Sequence, residues 1–173
     1  MTQETTHSPM TDGLEKELAA LLDQYDEARR TTQLRKDTAR ADELRFLEDF
    51  AEVRAKVLRP LFESVGAILA QRGHAFRIQE QEFGQQPGRP GAEASIALFI
   101  APEGMEKPPA ADEHLRALSF TTRHYNKTVC VRNGAAPHEG ALAGAKGAYP
   151  LERIDAQLVE DELLKLVESV LGS

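Results

Sequence analysis

DGLEKELAALLDQYDEARRTTQLRKDTARADELRFLEDFAEVRAKVLRPLFESVGAILAQR, Asp12 to Arg72, decides the architecture of this chain. It holds no proline before Pro60 and no glycine between Gly13 and Gly66. Its Leu, Ala, Glu, Lys and Arg are the residues that lose least side-chain freedom in a helix. A continuous helix of this length would run about 90 Å at 1.5 Å per residue. The mean helix has about 11–12 residues, so this one needs a partner or a break.

Asp12 is placed to cap the helix, with Glu15 as the reciprocal member of a capping box. Leu14, Leu18, Leu21, Tyr25 and Ala28 then alternate spacings of four and three, a seam of about two heptads that Leu22 widens. Between Arg29 and Glu43 the only large apolar residue is Leu34. That section reads either as a solvated helical bridge or as the turn of a helical hairpin. The absence of Gly, Pro and Asn favours the continuous helix.

From Leu44 the apolar pattern returns and broadens. Leu44, Leu47, Ala51, Leu58, Leu61, Val65 and Ile68 form one stripe, and Phe46, Phe50, Val53 and Val57 an adjoining one. A face that wide suits packing on a sheet. Pro60 removes one helical hydrogen bond and is expected to kink or restart the helix. Gly73 is placed to end it.

Downstream the period changes. In His74–Phe83, Phe76 and Ile78 alternate with Arg77 and Gln79. A Gly/Pro-rich loop, Phe83–Gly91, leads to Glu93–Ala101, the most apolar strand and the expected centre of the sheet. Its faces are Ala94, Ile96, Leu98, Ile100 and Ser95, Ala97, Phe99. After Pro102–Asp112, strands over His114–Thr122 and Lys127–Arg132 form a hairpin with Val129 and Val131 inward and Thr128 and Cys130 outward. Short connections make these strands antiparallel. Asn133–Pro150 reads as a Gly/Ala-rich loop, in which Tyr149 and Leu151 leave room for a short edge strand. Asp155 caps a last amphipathic helix with Val159, Leu163, Leu166, Val167 and Val170 inward.

The expected fold is therefore α+β: a long N-terminal helix, a four-stranded antiparallel meander and a C-terminal helix on one sheet face. The expected domains are a disordered tail (1–11), a projecting helix (12–43) and a two-layer domain (44–173).

Composition narrows the function. Apolar residues make up 41% and charged residues 28%, a globular balance. The net charge is −7, with no strongly basic segment, which counts against general nucleic-acid binding. The single cysteine, Cys130, excludes an intramolecular disulfide. Met1–Glu4 has neither the basic nor the apolar region of a secretory leader, and no run approaches 18 apolar residues. A cytoplasmic chain is the expectation.

No motif carries strong chemistry. Cys130 with His114 or His124 lacks the spacing of a metal or nucleophile motif. Gly140–Gly147 echoes a phosphate-binding loop, with His138 nearby. However, its glycine spacing is one short and Gly147 stands where a hydroxyl should follow the lysine. The acid pairs Glu80/Glu82 and Asp112/Glu113 read as solvated carboxylates. Arg29, Arg30, Arg35 and Lys36 form the one basic cluster, a candidate polyanion contact, interleaved with Asp26, Glu27 and Asp37.

The remaining feature is the seam itself. Leu14, Leu18, Leu21, Leu22 and Tyr25 on a projecting helix require cover, from a second copy, from another, unknown protein partner or from the helix folding back on its own chain. A non-enzymatic protein that associates through this helix, with a second copy as partner, is the reading the sequence favours. A nucleic-acid-associated protein using the arginine cluster, or an anion-binding domain using the Gly140–Gly147 loop, are the alternatives. No cofactor, metal or membrane partner is expected.

Overall fold

The computed structural model describes residues 11–84, 91–101, 116–135 and 145–172. The tail 1–10, most of the Phe83–Gly91 loop, Pro102–Asp112 with Glu113 and His114, and His138 with Gly140–Gly144 lie outside the described residues. The element order is α1 (Asp12–Val53), a π turn (Arg54–Leu58), α2 (Arg59–Gln71), β1 (Phe76–Gln81), β2 (Ser95–Ile100), β3 (Arg116–Arg123), β4 (Thr128–Ala135), β5 (Ala145–Pro150), a 3-10 turn (Leu151–Arg153) and α3 (Ala156–Leu171). Contacts divide the chain into two units, Met1–Asp42 and Glu43–Ser173.

The first unit, where described, is helix from Asp12 onward. Glu15 N–H donates to the Thr11 carbonyl at 3.2 Å, so Thr11 rather than Asp12 occupies the cap position. Asp12 and Glu15 stand in the first turn, where the helix dipole favours carboxylates. Residues 29–43 are helical throughout, and the hairpin alternative falls away. Thr31 and Thr32, mediocre helix formers, donate their hydroxyls to the carbonyls of Glu27 and Ala28 at 3.0 and 2.9 Å. Bonding back to the preceding turn is how such residues stay inside a helix.

In the second unit the helical line resumes its apolar face at Phe46 and Phe50, both buried. Pro60 has no N–H to give the carbonyl of Lys56, and the chain answers by widening one turn. Arg59 N–H donates to Arg54 O, an i→i+5 bond, and α2 then starts with proline in its first turn. The sequence alternatives of kink or restart resolve as a restart through a π turn. The widening also preserves a face. Phe46, Phe50, Arg54, Leu58 and Phe62 recur every four residues and are all buried. In a regular helix such a line would drift by about 40° per step. The π turn absorbs part of that drift. Leu44 and Ile68, expected in the buried stripe, are exposed instead.

Helix α2 ends in a Schellman motif. Gly73 N–H reaches Ala70 O at 3.1 Å and His74 N–H reaches Leu69 O at 3.0 Å, with Gly73 at φ +88°. A residue with a Cβ resists that left-handed backbone.

The sheet is antiparallel in the order β1-β2-β3-β4-β5. It has five strands rather than the expected four, and β3 rather than β2 is central. The fifth escaped the pattern because AKGAYP has no alternation to read. An edge strand needs hydrogen bonds on one side only, and among its described side chains Tyr149 alone packs against the core. Its pairing with β4 shifts register between Val131 and Arg132.

Both helices cover one face of the sheet. Ile96, Leu98, Ile100, Leu118, Phe120, Val129 and Val131 meet Phe50, Leu58, Phe62, Val159, Leu163 and Leu166 in one core. Asn133 ties α3 to β4 by donating to the Glu162 carbonyl and carboxylate, each at 2.8 Å. Asp155 caps α3 by accepting from Leu158 N–H at 2.9 Å.

Gly66 marks the closest approach of α2 to β1. A Cβ built there would lie 2.4 Å from the Phe76 ring. Alanine gains about 1 kcal/mol of helix propensity over glycine, whereas overpacking costs about 1–3 kcal/mol. Gly66→Ala is therefore expected to lower unfolding stability by up to about 2 kcal/mol in a urea titration. A gain in stability would show that the Phe76 ring swings aside freely.

Candidate association surfaces

The α1 seam lies where its periodicity puts it, and in a single chain it is bare. Leu14, Leu18, Leu21, Leu22 and Tyr25 are all exposed, from 43% at Leu18 to 64% at Tyr25. Leu14, Leu18, Leu21 and Tyr25 share one helix face and Leu22 flanks it. Glu15 and Glu17 border the stripe on its two sides, by the rotation of the helix. The half-helix that carries it, residues 12–28, is acidic: Asp12, Glu15, Glu17, Asp23, Asp26 and Glu27 against Lys16 alone.

Arg29, Arg30, Arg35 and Lys36 follow on the same helix, all exposed. Successive residues rotate by about 100°. Arg30 and Arg35 therefore leave opposite sides, and the four do not form one patch. Arg30 pairs with Glu27 at 4.0 Å.

The second unit carries two further surfaces that residue-by-residue reading missed. The first is an apolar groove of about 390 Å³ between α2 and α3, lined by Leu61, Val65, Ile68, Leu163, Leu164 and Val167, with Glu160 and Ser64. Ile68 and Leu164 are exposed in it.

The other is the sheet face opposite the helices. The register aligns its residues in rows: Arg77–Phe99–Ala117–Gly134, then Gln79–Ala97–Ser119–Arg132, then Gln81–Ser95–Thr121–Cys130–Ala148, and last Arg123–Thr128–Pro150. The floor is small and weakly polar, and Ala117 and Cys130 are its buried members. Arg77 stacks over the Phe99 ring at 4.6 Å. Its Nε is shielded from water and has no hydrogen-bond partner. Arg123 donates to the Cys130 thiol at 3.9 Å. Among the described residues of these rows there are three arginines and no carboxylate.

The candidates for catalysis are not assembled. His124 Nδ1 lies 2.6 Å from Glu93 Oε1, while Cys130 meets Arg123 on the opposite face. Glu93 also accepts from the Thr122 hydroxyl at 2.9 Å and the His124 backbone N–H at 3.3 Å. A carboxylate, an imidazole and a hydroxyl in contact are suggestive of nucleophile chemistry. Yet Thr122 is fully buried and its hydroxyl also reaches the Ala94 carbonyl. The cluster fastens the start of β2 to the end of β3.

Glu80 and Glu82 are each held by an arginine. Arg59 bonds Glu80 at 3.0 Å and Glu63 at 2.9 Å, which raises its pKa, and Arg54 takes Glu82. Among the described residues no group of three or more His, Cys, Asp or Glu could hold a metal ion. No helix among them is long and apolar enough to cross a membrane. Comparison of the chain with models of known protein families, with curated proteins and with solved structures finds no match.

Proposed function

We propose that this is a non-enzymatic assembly protein that associates with a second copy through the amphipathic stripe of α1. The observation that carries the reading is the bare stripe: Leu14, Leu18, Leu21, Leu22 and Tyr25 at helical spacing, all exposed in a single chain. Scattered surface leucines need no explanation, but a contiguous stripe marks an interaction surface. Fully burying a leucine stabilises by about 1.5–3 kcal/mol. Several together are needed to offset the loss of translational and rotational freedom, about 4–15 kcal/mol.

Leu18→Asp with Leu21→Asp removes two of the anchors and places carboxylates where they would be buried. Losing two leucines alone is worth about 4 kcal/mol, or roughly a thousandfold in dissociation constant. The double variant is expected to elute as a monomer where the parent chain is a dimer, by light scattering coupled to size exclusion. Its far-ultraviolet circular dichroism should keep the sheet signal. An unchanged mass for the double variant, or a monomeric parent chain, would falsify the reading.

A further inference from the structure

We propose that the α1 stripe of one copy seats on the sheet face opposite the helices of a second copy, the two copies exchanging helices reciprocally. This rests on the self-association reading and names the seat. Three observations point to it.

Charge is the first. Residues 12–28 carry six carboxylates against one lysine. The sheet face presents Arg77, Arg123 and Arg132 with no carboxylate in its described rows. In a chain of net charge −7 this segregation is specific, and complementary charges steer and register an interface. Glu15 and Glu17, on either border of the stripe, are placed to meet guanidinium groups at the margins of the seat. Arginine is suited to that role because its planar fork takes a carboxylate bidentately.

Shape is the second. Leu14 and Tyr25 are eleven residues apart, about 17 Å along a helix. Five strands about 4.8 Å apart make a face about 19 Å across. The floor under the stripe, Ala97, Ala117, Ser119 and Thr121, is small enough for leucines to approach the backbone. Arg77 on β1, Arg132 on β4 and Arg123 at the end of β3 stand around it rather than in its middle.

The third is the failure of the other seats. Pairing two sheet faces by a twofold would set arginines against arginines. The groove between α2 and α3 is lined by Glu160 and by no cation, so it offers the carboxylates nothing. Parallel pairing of two α1 helices would place the acidic segments side by side.

The test is a charge exchange in the full chain. One variant reverses the face, Arg77→Glu with Arg132→Glu, and the other reverses the helix, Glu15→Lys with Glu17→Lys. Each alone is expected to weaken its own dimer at least about tenfold, the scale of a lost charge pair. Mixed in equal amounts, they should form a heterodimer, because both seats are then complementary again. A face variant that dimerises as tightly as the parent, or a mixture that gives no heterodimer, overturns the proposal. If Leu18→Asp with Leu21→Asp still abolishes the parent dimer in that case, the self-association reading stands with a different seat. Should the reversed face fail to fold, the parent chain decides by its salt response. A dimer whose affinity rises or stays the same between 50 and 300 mM salt overturns the proposal, and one whose affinity falls over that range supports it.

Discussion

Phe62→Ala should cost about 3–5 kcal/mol of unfolding free energy, the range for removing a buried aromatic ring from a core that relaxes only partly. Phe62 is fully buried, and its ring centroid lies 6.1 Å from that of Phe120 on the central strand, tilted by 46°. Such a pair adds about 0.5–1.5 kcal/mol beyond the area it buries. The position is decisive for the fold because Phe62 stands just past the proline restart and carries a ring contact from α2 to Phe120 on β3. Set against a total stability of about 5–15 kcal/mol, the loss would leave the second unit marginal. A urea titration followed by circular dichroism is the measurement, with the slope unchanged if only the native state is affected. Phe62→Leu keeps most of the volume and should lose about half as much or less. A cost below about 1 kcal/mol for Phe62→Ala would mean that α2 does not press on the sheet as described.

Periodicity and turn chemistry made most of this fold readable. The long helix is visible in the lack of Gly and Pro before Pro60, its C-terminus in Gly73, and the inward faces of β2 and β4 in strict alternation. Two things were hidden for stated reasons. The fifth strand has almost no side-chain pattern, since Gly and Ala contribute little to a core and an edge strand is defined by its backbone bonds to β4. The π turn is hidden because its cause, a missing N–H at Pro60, is visible while the response is a choice of backbone geometry. Ile68 leaves the stripe that a regular helix projects because the π turn at Arg54–Leu58 rotates the face beyond it.

The surfaces divide in the same way. The α1 seam could be read because its residues are close in sequence. Arg77, Arg123 and Arg132 could not be grouped, although the alternation already placed Arg77 opposite Phe76 and Ile78. Only the register, which sets Arg77 beside Phe99 and Arg132 beside Ser119, brings them to one face. A patch built from four strands is a property of pairing, and pairing is what a single sequence encodes least locally.

Arg54→Ala is expected to cost about 2–4 kcal/mol, nearly all of it from backbone carbonyls rather than from the ion pair. Arg54 opens the π turn and is buried to 7% exposure. One terminal nitrogen donates to Gln81 O at 3.0 Å and to Ser95 O at 3.4 Å, the residues that close the β1–β2 ladder opposite one another. The other terminal nitrogen meets the Glu82 carboxylate, and the guanidinium lies 5.9 Å from the Phe50 ring centroid. Glu82 is largely exposed, so its pairing with Arg54 is screened and worth at most about 1 kcal/mol. The carbonyls differ: an acceptor that loses its donor within a part-buried site costs about 1–3 kcal/mol. Glu82→Ala should therefore change stability by less than about 1 kcal/mol, and the Arg54→Ala loss should persist at high salt. Equal costs for the two substitutions would show that the ion pair, and not the link from helix to ladder end, is what Arg54 supplies. Arg54→Lys distinguishes further. A single ammonium on a flexible stem has no planar fork to hold both carbonyls and the carboxylate in one geometry, so lysine should recover only part of the loss.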